Sequence, residues 1–113
     1  MKARPESVYR ARDVRAADTF AIRTLGIPGY TLMNRAAAAA LALLRERWPG
    51  ARRVRVLCGA GNNGGDGYVL ARLARAADLE VDVVAFADPA RLKGDAARAY
   101  EDYVAAGGTV RPG

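Results

Sequence analysis

An α/β fold built on a parallel sheet is predicted by three features of the chain. The hydrophobic period changes at Pro49-Gly50, with helical stripes before it and short β-branched runs after it. Two such runs, residues 53–58 and 80–86, are bounded by turn residues, and residues 109–111 open a third. Amphipathic stretches of helical length separate them. Strand, helix, strand, helix, strand is the βαβαβ half of a doubly wound sheet, whose helices are expected on both faces.

Taken in order, residues 13–25 carry Val14, Ala17, Ala21, Ile22 and Leu25 on one helical stripe that Gly26 ends. Pro28 and Gly29 make a turn, and Thr31 is expected to cap a second helix. That helix holds five consecutive alanines and runs to about Trp48, where Pro49-Gly50 stops it. Residues 53–58 follow as a strand and 59–67 as a glycine-rich loop. The next helix is expected to start near Gly64 and to run clear of the loop from Tyr68 to 77, with Val69, Leu70 and Leu73 inward. The strand 80–86 leads to a turn at Asp88-Pro89. A last helix, 94–106, presents Ala97, Tyr100 and Val104 on one side, and Gly107-Gly108 ends it.

At 113 residues the chain is one domain or part of one. Its 25 alanines leave few large side chains for a core, so a further segment or a partner is expected to complete it. A domain of about 200 residues would be ordinary for this pattern. No apolar run is long enough to span a membrane, and the N-terminus lacks a secretory leader, which points to the cytoplasm. One cysteine makes no internal disulfide; without histidine there is no His-based metal site or Ser-His relay. Residues 1–57 carry 12 basic against 4 acidic side chains. The bases are mostly arginines at helical spacing without interleaved aromatics, which favours solvated helix faces over nucleic-acid binding.

The chemistry lies in Gly59-Ala60-Gly61-Asn62-Asn63-Gly64-Gly65-Asp66-Gly67. Five glycines between a strand and a helix let backbone N–H groups meet a ligand without Cβ interference. The run is not a P-loop, because Gly65-Asp66 stands where Lys-Ser/Thr is needed. An ordinary dinucleotide site is strained as well: Asp78, Glu80 and Asp82 come too early for a ribose-binding acid, and Asp88 too late. Amide oxygens of Asn62 and Asn63 suit a cation, and their N–H groups suit phosphate or ribose. Asp66 can bind ribose hydroxyls or simply cap the helix. Cys58 reads as a small core residue, Trp48 as a cover for the end of the second helix or a dimer contact, and Tyr100 and Tyr103 as packing neighbours.

Leu57-Cys58-Gly59-Ala60-Gly61-Asn62-Asn63-Gly64-Gly65-Asp66-Gly67-Tyr68-Val69-Leu70-Ala71-Arg72, with Leu25-Gly26-Ile27-Pro28 and Leu32-Met33 ahead of it, resembles the signature of the NAD(P)H-hydrate epimerases. The resemblance implies a Rossmann-like three-layer α/β/α domain, with residues 1–113 its N-terminal part. It also implies a homodimer that interconverts the R and S epimers of hydrated NADH and NADPH. A fused or separate dehydratase would then restore the coenzyme. It further implies that Asn62, Asn63, Gly64, Gly65 and Asp66 bind substrate and that Asn63 ligates potassium (K+). A second potassium-binding aspartate, another glycine-rich loop and the catalytic aspartate are expected beyond residue 113. Asn34, after Leu-Met, stands where that family commonly has an acid, and Ala36 and Ala37 where a helix glycine is common. The alternative is a non-catalytic nucleotide- or RNA-binding module of the same fold.

Overall fold

The computed structural model describes residues 28–113, the side chains of Asn62 and Asn63 aside, together with the backbone of residues 6–10. Four strands, β1 (Glu6–Arg10), β2 (Arg53–Cys58), β3 (Glu80–Ala85) and β4 (Val110–Pro112), form one parallel sheet in the order β1-β2-β3-β4. Helices α1 (Gly29–Arg47), α2 (Gly61–Ala76) and α3 (Gly94–Ala105) connect or flank them, and a 3-10 turn, Pro89–Arg91, precedes α3. This alternation is a Rossmann-like α/β fold. The helix expected over residues 13–25 lies outside the described residues.

Register explains the core. Val54 pairs with Val81, Val56 with Val83, Cys58 with Ala85, and Val83 in turn with Val110, so alternate residues of β2, β3 and β4 share one face. Val54, Val56 and Cys58 are fully buried there. Against them pack Met33, Ala37, Leu41 and Leu44 of α1, Val69, Leu70 and Ala74 of α2, and Ala99 and Tyr103 of α3. All three helices therefore meet the same side of the sheet. Right-handed crossovers that always step in one direction give this result, because no reversal of strand order sends a helix to the other side. Among the described residues the three helices form one layer on this side of the sheet. Burying a side chain such as Leu70 completely contributes about 1.5–3 kcal/mol.

The other face of the sheet carries the apolar pair Leu57 and Val84, with Val84 buried, and next to it a polar cluster. Arg55 lies beside Asp82 in the register, and Arg111 one strand further on. Arg55 Nε donates to Asp82 Oδ2 at 2.9 Å, while Arg111 Nε and Nη2 donate to Oδ1 and Oδ2 at 2.7 and 2.8 Å. The hydrogen bonds from Arg111 first, then those from Arg55, hold the Asp82 carboxyl well below the usual carboxylate range.

Several local expectations change. α1 begins at Gly29 with Pro28 in the capping position, so Thr31 sits inside the helix and no side chain caps it. α2 begins at Gly61, earlier than periodicity places it, because the glycines continue as helix rather than as loop. On α3 the buried stripe is Ala96, Ala99 and Tyr103, about one residue round from the expected one, and Val104 is exposed. Tyr103 decides this rotation. Its ring lies 6.0 Å from that of Tyr68, its hydroxyl donates to the Thr109 carbonyl at 2.6 Å, and Tyr100 meets Tyr68 edge-on at 5.2 Å.

Polar side chains tie the helices together. Tyr30 Oη donates to Asp102 Oδ2 at 2.5 Å, linking α1 to α3, and the Arg98 guanidinium lies 4.2 Å from the centre of the Tyr30 ring. Asn34 Nδ2 donates to the Tyr30 carbonyl, and Asn34 Oδ1 accepts from Arg72 of α2. The amide thus supplies the acceptor that an acid would supply at this position. Trp48 follows α1, donates its N–H to the Leu44 carbonyl and packs against the core, as a cover for the helix end should.

Candidate functional site

β2 delivers the chain to the site. After Cys58 only Gly59 and Ala60 intervene before α2, so the helix starts directly above the C-terminal edge of the sheet. The residue in the capping position, Ala60, has extended backbone and no side chain to satisfy the first-turn N–H groups. Gly61 follows at φ +65°, a left-handed conformation that admits glycine without cost. The result is an uncapped positive helix end facing outward where parallel α/β folds hold ligands.

The later glycines serve packing. A Cβ on Gly64 would stand 2.2 Å from the Gly59 carbonyl oxygen, and one on Gly67 2.6 Å from Cys58 Sγ. The first turn can fold back over its own loop, and the helix can lie on β2, only because those atoms are missing. Gly65 is pressed between Ala96 of α3 and Met33 of α1. The glycine pattern therefore encodes two demands at once, an open helix end and a close approach of α2 to its neighbours.

The five residues expected at the site divide in the same way. Asn62 and Asn63 occupy the first turn of α2, at the open end. Gly64 and Gly65 are buried in the contacts just described. Asp66 lies one turn deeper and is the buried charged side chain among the described residues, 3% exposed. It is engaged within the protein. Its position in the second turn excludes the helix-cap reading, since a cap precedes the first turn.

The neighbouring edge supplies the rest of the surroundings. Phe86 N–H donates to the Cys58 carbonyl at 2.9 Å, so the segment after β3 runs beside the glycine loop. Beyond it, a shallow groove of about 500 Å³ passes between residues 85–89, Tyr100 and the end of β4. Asp88, considered above for ribose, accepts from Ala90 N–H at 3.0 Å and caps the 3-10 turn. Asp82 is held by two arginines on the other face of the sheet. Neither acid is placed as an ordinary dinucleotide site requires. Cys58 is fully buried, and burial pushes its thiol up to about 12, so it is an inert core residue. No helix among the described residues is long and apolar enough to cross a membrane.

Periodicity missed the ties from Tyr30 to Asp102 and from Asn34 to Arg72. Their partners lie 72 and 38 residues apart, and no local pattern announces them.

The chain is similar to known proteins over most of its length. The family model described as "YjeF-related protein N-terminus" matches residues 29–113. The bifunctional NAD(P)H-hydrate repair enzyme Nnr of Escherichia coli is 45% identical over 106 residues, covering 94% of this chain and 21% of that protein. The NAD(P)H-hydrate epimerase of Bordetella pertussis is 45% identical over 101 residues, covering 89% of this chain and 42% of its own length. That of Rhodobacter capsulatus is 38% identical over 112 residues, covering 93% of this chain and 52% of the relative. The chain thus spans from about a fifth to about half the length of these relatives.

Proposed function

The chain belongs to the YjeF-related protein N-terminus family, and from that premise we propose that it forms the nucleotide-binding part of an NAD(P)H-hydrate epimerase. Its substrate is hydrated NADH or NADPH, whose R and S forms it interconverts. The observation that carries this reading is the uncapped N-terminus of α2 above the edge of β2, built by a segment of the matched family. Relatives that match 89% and 93% of this chain bear that activity in their names.

A pyrophosphate is anionic, and the first-turn N–H groups of a helix offer it hydrogen bonds along a favourable dipole. Gly61, Asn62 and Asn63 bind it there, and Gly64 lets the turn close beneath it. Gly65 and buried Asp66, one turn deeper, complete the stretch that binds the substrate. The groove past Phe86 gives a nucleoside room to extend along the sheet edge.

Potassium fits this site only as a shared ion. A helix N-terminus disfavours a cation, and the described residues hold no group of three or more Asp, Glu, Cys or His near one another. Asn63 would therefore contribute one amide oxygen to an ion whose other ligands come from the substrate and from elsewhere. When bound, such an ion would offset phosphate charge. The working unit is a homodimer, a dehydratase acts on its product, and the setting is the cytoplasm.

Supplying pure R-hydrate of NADH, with and without potassium, and following the S form tests the proposal. Conversion above the spontaneous rate supports it. Asn63→Ala should weaken potassium-dependent binding of the hydrate while leaving the fold intact. Equal binding by that variant with and without potassium would remove Asn63 as a ligand.

A further inference from the structure

We infer that the adenine of the coenzyme stacks on Phe86, in the groove where β3 and β4 end, so that this side chain decides which half of the substrate lies there. This deepens the reading of α2 as the pyrophosphate site, on which it rests, and sets the direction in which the molecule extends.

Phe86 is 64% exposed, the most exposed large apolar side chain among the described residues. Its backbone is nonetheless held on both sides. Phe86 N–H donates to the Cys58 carbonyl at 2.9 Å, and the Ala85 carbonyl accepts from Gly113 N–H at 2.8 Å. Gly113 also lies against the ring, where a Cβ would stand 2.6 Å from its edge. A flat apolar face presented to solvent from fixed backbone is what a base stacks on.

Its place suits one part of the substrate. Cys58, which accepts from Phe86, is the last residue of β2 before the glycine loop. The segments carrying the ring and the first turn of α2 therefore leave the sheet one strand spacing apart, about 4.8 Å. In the coenzyme a single ribose separates each base from the pyrophosphate, a step of comparable size. Beyond the ring the groove has Pro89, Tyr100 and Val110 as walls, and Tyr100 is fixed edge-on against Tyr68. Its volume of about 500 Å³ falls within the range of small-molecule sites.

The two ends of the hydrated coenzyme differ in shape. Adding water to the reduced nicotinamide leaves tetrahedral carbons in a puckered ring, whereas adenine stays flat and aromatic. Stacking on Phe86 therefore favours the adenine end and directs the hydrated ring away from this groove.

Calorimetric titration of the chain with ADP, with hydrated NADH and with the hydrate of reduced nicotinamide mononucleotide, which lacks adenosine, tests this. Phe86→Ala should lower affinity for ADP and for hydrated NADH about tenfold, and leave the mononucleotide unaffected. Phe86→Leu keeps apolar bulk without an aromatic face and should lose nearly as much, while Phe86→Trp should bind at least as tightly as the parent. Circular dichroism checks that each variant folds, as an exposed position allows. In the parent, nuclear Overhauser contacts should join the Phe86 ring to adenine H2 or H8. A parent that does not bind ADP overturns the proposal, as do ADP affinities that ignore Phe86→Ala, a Phe86→Leu variant equal to the parent, or ring contacts to the nicotinamide protons. Absent epimerisation with ADP binding still lost in Phe86→Ala would remove the activity proposed above and keep this site. Epimerisation with ADP binding indifferent to Phe86→Ala would do the reverse.

Discussion

Gly67 lies on Cys58 so closely that a Cβ would stand 2.6 Å from the thiol sulfur. This contact seats α2 on β2 and so fixes where the open helix end stands above the sheet. Gly67→Ala is expected to destabilise the chain by about 1–3 kcal/mol through overpacking. In a Cys58→Ala background, which empties the space the new methyl needs, the same change should cost much less. Urea denaturation of the four proteins in that cycle measures the coupling. Additive effects would show that Gly67 is not limited by the sulfur.

The Cys58 thiol is buried, and its pKa is pushed up to about 12 by desolvation. A thiol reagent should therefore modify native protein only as fast as it opens, and unfolded protein at once. The linked effect on stability has a definite sign. Below pH 9.0 the thiol is protonated in both states, so pH acts on nothing here. Between pH 9.0 and about 12 the unfolded thiol ionises while the folded one keeps its proton, so stability falls as pH rises. Cys58→Ala should flatten that alkaline decline.

Acid acts through Asp82. Its folded carboxyl sits well below the ordinary value of 3.8 because Arg111 and Arg55 bond it. At neutral pH it is ionised in both states, and its pairing contributes in full. As pH falls through 3.8, the unfolded chain takes up the proton first, so stability drops. Asp82→Asn should lower the urea midpoint at pH 7 and reduce its slope against pH in the acid range. Side chains around the pair are about a third to half exposed, so added salt should shrink the difference.

Tyr30→Phe isolates the tie between α1 and α3. The ring and its contact with Arg98 remain, while the hydrogen bond to Asp102 goes. The expected cost is about 1 kcal/mol, read from equilibrium unfolding. A neutral substitution would mean that the hydroxyl gains nothing from Asp102 over water.

Much of this architecture was legible because its signals are local. β2 and β3 announce themselves by β-branched residues between breakers, and the glycine-asparagine run marks the strand-to-helix junction. β1 was not legible: Glu-Ser-Val-Tyr-Arg has no pattern of its own, and it becomes a strand by pairing with β2, Ser7 opposite Val54 and Tyr9 opposite Val56. The early start of α2 was hidden for another reason. Glycine propensity argues for loop, and only the close contacts of Gly64 and Gly67 reveal why the helix must begin there. That the three described helices share one side of the sheet follows from strand order, which periodicity does not encode. Within the site, the division of Asn62 and Asn63 from buried Asp66 depends on that helix start, so it too awaited the backbone.

The central claim is that the first turn of α2 receives the hydrated coenzyme, and backbone amide resonances followed during titration with hydrated NADPH test it most directly. The account predicts saturable shifts that are largest at residues 61–64, with smaller ones along residues 86–88 beside them. Saturable shifts confined to other elements, with residues 61–64 unmoved, would contradict it.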